Sequence, residues 1–408
     1  MFDKIKDEIK DYFSHLGLFS KNIRLFLWGS FFLGISQSVF FLIYNLFLKD
    51  IGYTESFIGH TLSVSSLGTV LFSLPLAYVM PRIKLKRIIV FLPVLLCIFT
   101  LWQTFLTDEV SIMISSFFKG IIYTVLGIIS APFFMRNSTE KERSHIFSLS
   151  FALGLASGFI GNFLSGIIFK YSGKLMTDPV FQNRSALVFS ALSGLFAIFY
   201  FLKLDVKNIE RSEGQKIVIA DFPLKFIFRV SFPQFVIGLG AGLVIPFVNL
   251  FLKNDWDLST DRISVIFAIS QLFMFFGIVV APVCKKYFGM MRTVVVTQLL
   301  SMPFMYFLGF SKVFPLVEFS FYIRAALMNM AAPLITNFML EKVDEAHQYS
   351  ANAVATIAWT GAWVFSAYLG GTIIEKYGFK TVFTIAIILY FVSSAMYYFF
   401  FIKKRDDG

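Results

Sequence analysis

Ten stretches of this chain run for 18 residues or more without Lys, Arg, Asp or Glu: 25–48, 56–81, 88–107, 144–169, 185–202, 230–252, 263–284, 293–311, 348–374 and 381–402. Each is close to the ~20 apolar residues that carry an α-helix through the ~30 Å hydrocarbon core of a bilayer. Two more, roughly 111–135 and 313–340, are as apolar but hold charge inside. Such runs suit either a very large buried core or a membrane. Only 15% of the residues are charged and 57% are hydrophobic, against about 25% charged in soluble domains. That leaves too little polar surface to face water. In lipid the backbone must satisfy its own hydrogen bonds, and runs of this length do so as helices. The expected fold is an all-α integral membrane protein with 12 transmembrane helices.

The net charge of +11 does not imply nucleic acid, because membrane proteins gather Lys and Arg in cytoplasmic loops. With the N-terminus inside, 24 of the 36 Lys and Arg fall in cytoplasmic segments and nine in external loops. Both termini are therefore expected in the cytoplasm. The opening "MFDKIKDEIKDYFSHLGLFS" mixes both charge signs and lacks a signal-peptide pattern. Phe2, Ile5, Ile9, Phe13 and Leu16 have helical spacing, which suits a helix lying on the cytoplasmic surface or a solvated helix end. Cys97 and Cys284 are far apart, and the four His form no H-x-x-x-H pair, so neither disulfide nor metal is expected.

The pentapeptide "NLFLK" occurs twice, at 45–49 and 249–253. Other matches follow in the same order. Arg87 after the second run and Arg292 after the eighth are 205 positions apart, as are Gly166 in "LSGIIFKYSG" and Gly371 in "LGGTIIEKYG". "APFFM" (131–135) reads against "APLITNFM" (332–339). The longest polar stretch, "KLDVKNIERSEGQKIVIADFPLK" (203–225), follows the sixth run. The chain thus divides into an N-terminal segment 1–23, a six-helix bundle 24–203, a linker 204–225, a second bundle 226–402 and a tail 403–408. Asn45 and Asn249 fall at the same end of their helices, so the two repeats run parallel, an arrangement built for transport.

On these residues the chain resembles the major facilitator superfamily over about 24–402. "GAGLVIPFVNLFLK" (240–253), "APFFMRNSTEKERSHIFSLSFALGLASGFIGN" (131–162) and "YLGGTIIEKYGFKTVF" (368–383) are similar to the seventh, fourth-to-fifth and eleventh-to-twelfth helix regions of bacterial members. The resemblance implies a monomeric secondary transporter of a bacterial cytoplasmic (inner) membrane, working by alternating access without a cofactor. It points to efflux of an amphiphilic compound. Uptake or exchange of a small organic anion, and flipping of a lipid-linked substrate, stay open. The family's loop after helix two places an Asp before its basic residues; "LAYVMPRIKLKR" (76–87) has Pro81 there, and "CKKYFGMMR" (284–292) again lacks the acid. The cytoplasmic gate of Arg82, Lys84, Arg87, Gly289 and Arg292 must then close differently. "GLASGFIGN" (154–162) keeps Gly154 and Gly158 of the drug-antiporter signature but lacks its Pro.

A charge at bilayer depth costs at least ~2.5–3.5 kcal/mol and calls for a reason. Lys119 and Arg324 lie inside the fourth and tenth runs, 205 positions apart. At ~1.5 Å per residue each is roughly 12–17 Å from a helix end. The resemblance places both helices beside a central cavity, where two cations suit an anionic or zwitterionic substrate and Arg can grip a carboxylate or phosphate. The alternatives are an ion pair of Lys119 with Glu318, or snorkelling toward the membrane surface. Gln37, Asn329, Trp359 and Trp363 are further candidates for the cavity wall, the two Trp sharing one helix face. Glu318 and His60 are the candidates for proton coupling. No phosphate-binding loop, metal set or catalytic triad occurs. An enzyme is not expected, nor a nucleic-acid partner; the partners are a small molecule, the bilayer and protons as coupling ion.

Overall fold

Among the described residues of the computed structural model (19–80, 84–205 and 223–403), twelve helices are long and apolar enough to cross a membrane. They are α1 (Lys21–Asp50), α2 (Glu55–Val79), α3 (Leu85–Phe105), α4 (Glu109–Arg136), α5 (Glu140–Ser172) and α6 (Pro179–Phe201), then α7 (Leu224–Asn254), α8 (Thr260–Phe288), α9 (Met290–Phe310), α10 (Phe314–Glu341), α11 (Glu345–Tyr377) and α12 (Phe379–Lys403). The proposed surface helix at the N-terminus, Arg82 and most of the linker lie outside the described residues.

The polar residues between the runs start the helices. Asp108 accepts from the Ser111 amide at the start of α4, Asp178 from Val180 and Phe181 at the start of α6, and Thr139 with Glu142 forms a capping box on α5. Gly289, at φ +79°, makes the one-residue turn from α8 to α9, a conformation costly for any residue with a Cβ. In α7, Pro246 lacks an amide hydrogen, and the helix tightens to a 3-10 turn over Ile245–Phe247 before resuming.

The packing repeats as the sequence does. Helix α1 packs on α5 and α6, α2 on α4, and α3 on α4 and α6; α7 packs on α11 and α12, α8 on α10, and α9 on α10 and α12. Between the sets, α2 meets α11 and α5 meets α8. Glycines permit these approaches. A Cβ on Gly371 would lie 2.1 Å from the Glu55 carbonyl, and one on Gly166 would lie 2.8 Å from Ser264.

The helix bundle has two unlike faces. The linker face carries the start of α1, the end of α6, the start of α7 and the end of α12; the far face carries the α1–α2 turn. Toward the far face one apolar core draws on both sets of six helices, including Leu42, Phe47, Phe247 and Phe251. Toward the linker face each set has its own core, around Phe26 and Phe133 in one and around Val294 and Tyr397 in the other. The repeated pentapeptide forms the far-face seam. Asn45 Nδ2 donates to the Pro246 carbonyl at 2.7 Å, and Asn249 Nδ2 donates to the Leu42 carbonyl at 2.7 Å. Each acceptor lies three residues before the other repeat's Asn. Beside them Lys253 pairs with Asp50, which also accepts from Asn183; Lys49 pairs with Glu55 at 2.6 Å, and Asn254 donates to Glu55 at 2.8 Å.

Candidate functional site

A cavity of about 560 Å³ lies between the two sets of helices, on the linker side of this seam. Gln37 of α1, Gln271 of α8, Arg324 and Asn329 of α10, Trp359 and Trp363 of α11 and Tyr390 of α12 line it. Among the described residues, Arg324 is the one formally charged residue in the lining.

Arg324 is 4% exposed. One Nη donates to the Tyr390 hydroxyl at 2.7 Å, and the guanidinium lies 5.7 Å from that ring's centre. Its Nε is buried without a partner, and so is the indole Nε1 of Trp363. Two N–H donors are therefore buried and unsatisfied beside the cavity, a costly arrangement. Trp359 and Trp363 form an aromatic surface, their centroids 6.2 Å apart. Asn329 returns its amide to the Ala325 carbonyl of its own helix at 2.9 Å, while Gln37 is exposed to the cavity. Gly158 lets α5 approach Gln271; a Cβ there would lie 2.9 Å from Gln271 Cδ.

Lys119 occupies the equivalent position in α4 but does not line the cavity. It is 2% exposed, donates to Gln103 Oε1 at 3.3 Å and sits on the Phe40 ring, 2.7 Å from its centre. The expectation of two cations facing one cavity is corrected here. The cause is in the neighbours. Phe40 covers the Lys and Gln103 accepts from it, whereas the positions 205 residues on, Ile245 and Leu308, offer Arg324 neither a ring nor an acceptor. The Lys119–Glu318 pair is not made either. Glu318 pairs with Arg262 at 3.2 Å and accepts from the Tyr322 hydroxyl at 2.6 Å, outside the cavity lining. His60 stacks on Tyr368 across the α2–α11 contact, centroids 4.4 Å apart and 8° from parallel, and it too is away from the cavity wall.

Of the residues read as a gate, Lys84, Arg87, Gly289 and Arg292 are exposed on the linker face. Sequence reasoning missed Tyr390, which holds Arg324 in place. A tyrosine in "IAIILYFVSSAM" carries no signal of its own in so aromatic a chain.

The sequence matches the family described as Major Facilitator Superfamily over residues 26–232 and 230–408. No curated protein sequence matches it. Among solved structures, a mutant of the nucleoside transporter NupG is similar at 16% identity and TM-score 0.77, with 94% of this chain and 100% of that chain covered. A bacterial homolog of the human lysosomal transporter Spinster, inward-facing and unoccupied, is similar at 11% identity and TM-score 0.74, covering 92% and 95%. A D-xylose-proton symporter is similar at 14% and 0.73, covering 93% and 97%. Likeness at such identities reports the fold alone. The family match spans nearly the whole chain, and this protein belongs to the major facilitator superfamily.

Proposed function

We propose that this transporter exports an anionic or zwitterionic compound with an apolar part, binding it in the central cavity. One observation carries the reading: among the described residues, Arg324 is the one formal charge in the lining. A carboxylate, phosphate or sulfate would meet the Arg324 guanidinium in a charge-assisted hydrogen bond. The Trp359 and Trp363 rings suit the apolar part.

The excess of Lys and Arg on the linker side supports a cytoplasmic linker face in a bacterial inner membrane. The seam at Asn45 and Asn249 then closes the outside, and this conformation loads from the cytoplasm. Rocking of the two sets of helices about the cavity would expose the site outward. The outward direction rests on the family resemblance.

The test is thermal stabilisation of the purified protein by matched anionic, zwitterionic and cationic amphiphiles, in wild type and Arg324→Ala. A ligand that binds only the folded state raises the Tm. Anions are expected to stabilise the wild type and not the folded variant. Stabilisation by cations alone, unchanged in Arg324→Ala, would overturn the reading.

A further inference from the structure

A second space adjoins the cavity. Toward the far face α5 and α8 are in contact, with Ser165 donating to Ser264 at 3.1 Å. Toward the linker face they are still close where Gly158 meets Gln271. Beyond Gln271 a recess of about 620 Å³ separates them, lined by Leu153, Ala156, Leu272 and Phe275 and, from α1, by Leu27 and Trp28. Gln271 belongs to both walls, so a single side chain stands between the recess and the cavity. Arg24 lies at the recess's other end, near the linker face. From Gln37 in the cavity to Arg24 is about 20 Å along α1, at ~1.5 Å per residue.

An apolar furrow on a lipid-facing surface needs no explanation if it ends at a packed wall. This one ends at Gln271, one side chain away from a cavity whose one formal charge among the described residues is the Arg324 guanidinium. We infer that the substrate is a single-chain anionic amphiphile, its head on Arg324 and its tail in the recess, reached sideways from the bilayer between α5 and α8. This rests on the anion-binding reading of the cavity. Arg24 at the recess's other end would also attract an anion; the head is assigned to Arg324 as the charge of the cavity, and the tail to the apolar lining on the other side of Gln271.

The experiment measures binding of n-alkyl phosphates, ethyl to octyl, to the full chain in lipid nanodiscs, with empty discs as the partition control. In the wild type, affinity should rise about threefold to fourfold per methylene once the chain passes Gln271, since each buried CH₂ contributes a constant increment. Ala156→Trp fills the recess from an exposed position and should flatten the rise while leaving ethyl phosphate unaffected; Ala152→Trp repeats the test should the first variant fold poorly. A flat series in the wild type, or an undiminished rise in the filled variants, overturns the inference while Arg324-dependent binding of ethyl phosphate keeps the anion reading. Ethyl phosphate that fails to bind the wild type, or binds Arg324→Gln equally well, overturns both.

Discussion

Replacing Gly371 with Ala should open the far face. The new Cβ would lie 2.1 Å from the Glu55 carbonyl oxygen and 3.0 Å from Gly59 Cα. Both are backbone atoms, so no side chain can turn aside. Ordinary contact needs ~3.5 Å, so α2 and α11 must part by more than about 1 Å there. Overpacking of this kind costs ~1–3 kcal/mol, and it falls on the conformation with the far face shut. The shut-to-open ratio should therefore fall about 5- to 140-fold. Gly361 supplies the control: it is on the same helix, and a Cβ there meets nothing. The assay is labelling of Val248→Cys, 1% exposed at the seam, by an impermeant thiol reagent added on the far side, in a background lacking Cys97 and Cys284. Labelling should accelerate with Gly371→Ala and stay unchanged with Gly361→Ala. An unchanged or slower rate in folded Gly371→Ala protein would refute the argument that this contact holds the far face shut.

Asn45→Ala and Asn249→Ala should act in the same direction, each removing one buried hydrogen bond across the seam at a cost of ~0.5–1.5 kcal/mol; thiol labelling at the seam, compared across both single variants and the double, checks this. Lys119→Met should leave anion binding intact and the Tm equal or higher, since a buried charge is exchanged for an apolar side chain of similar length, whereas Arg324→Met should lose binding; ligand titration separates the two. Glu142 accepts from the Thr139 amide and hydroxyl, which holds its carboxyl below the usual carboxylate range. The capping box is thus at full strength above the ordinary Glu value of ~4.3 and weakens as pH falls through the lowered folded value. Hydrogen exchange in the first turn of α5 should rise only in that acid range, and Glu142→Gln should shift it.

The fold was legible because the absence of charge over ~20 residues leaves a helix in lipid as the physical solution. Arg324 was legible for the converse reason, since a charge in such a run calls for compensation. Lys119 looked its equal by register, but register says nothing about neighbours: a Phe at 40 and a Gln at 103 enclose it, and both come from other helices. The ion-pair partner of Glu318 was hidden in the same way. Its partner Arg262 stands 56 positions earlier, near the start of α8, and only the packing of α8 on α10 joins them. The pentapeptide repeat was visible as a repeat, while its role as a seam depends on hydrogen bonds that cross between the two sets of helices.

That seam has the form of an isologous dimer interface within one chain. Residue i of one copy meets residue j of the other, and j meets i, as in a two-fold homodimer. The first copy alone holds both the donor, Asn45, and the acceptor, the Leu42 carbonyl, so the segment is complementary to itself. Being joined has let the copies diverge where identical protomers could not. Asp50 in one is matched by Asn254 in the other, and the former binds Lys253 while the latter binds Glu55. A substitution in either copy now alters one of two bonds, so each half of the clasp can be tuned separately.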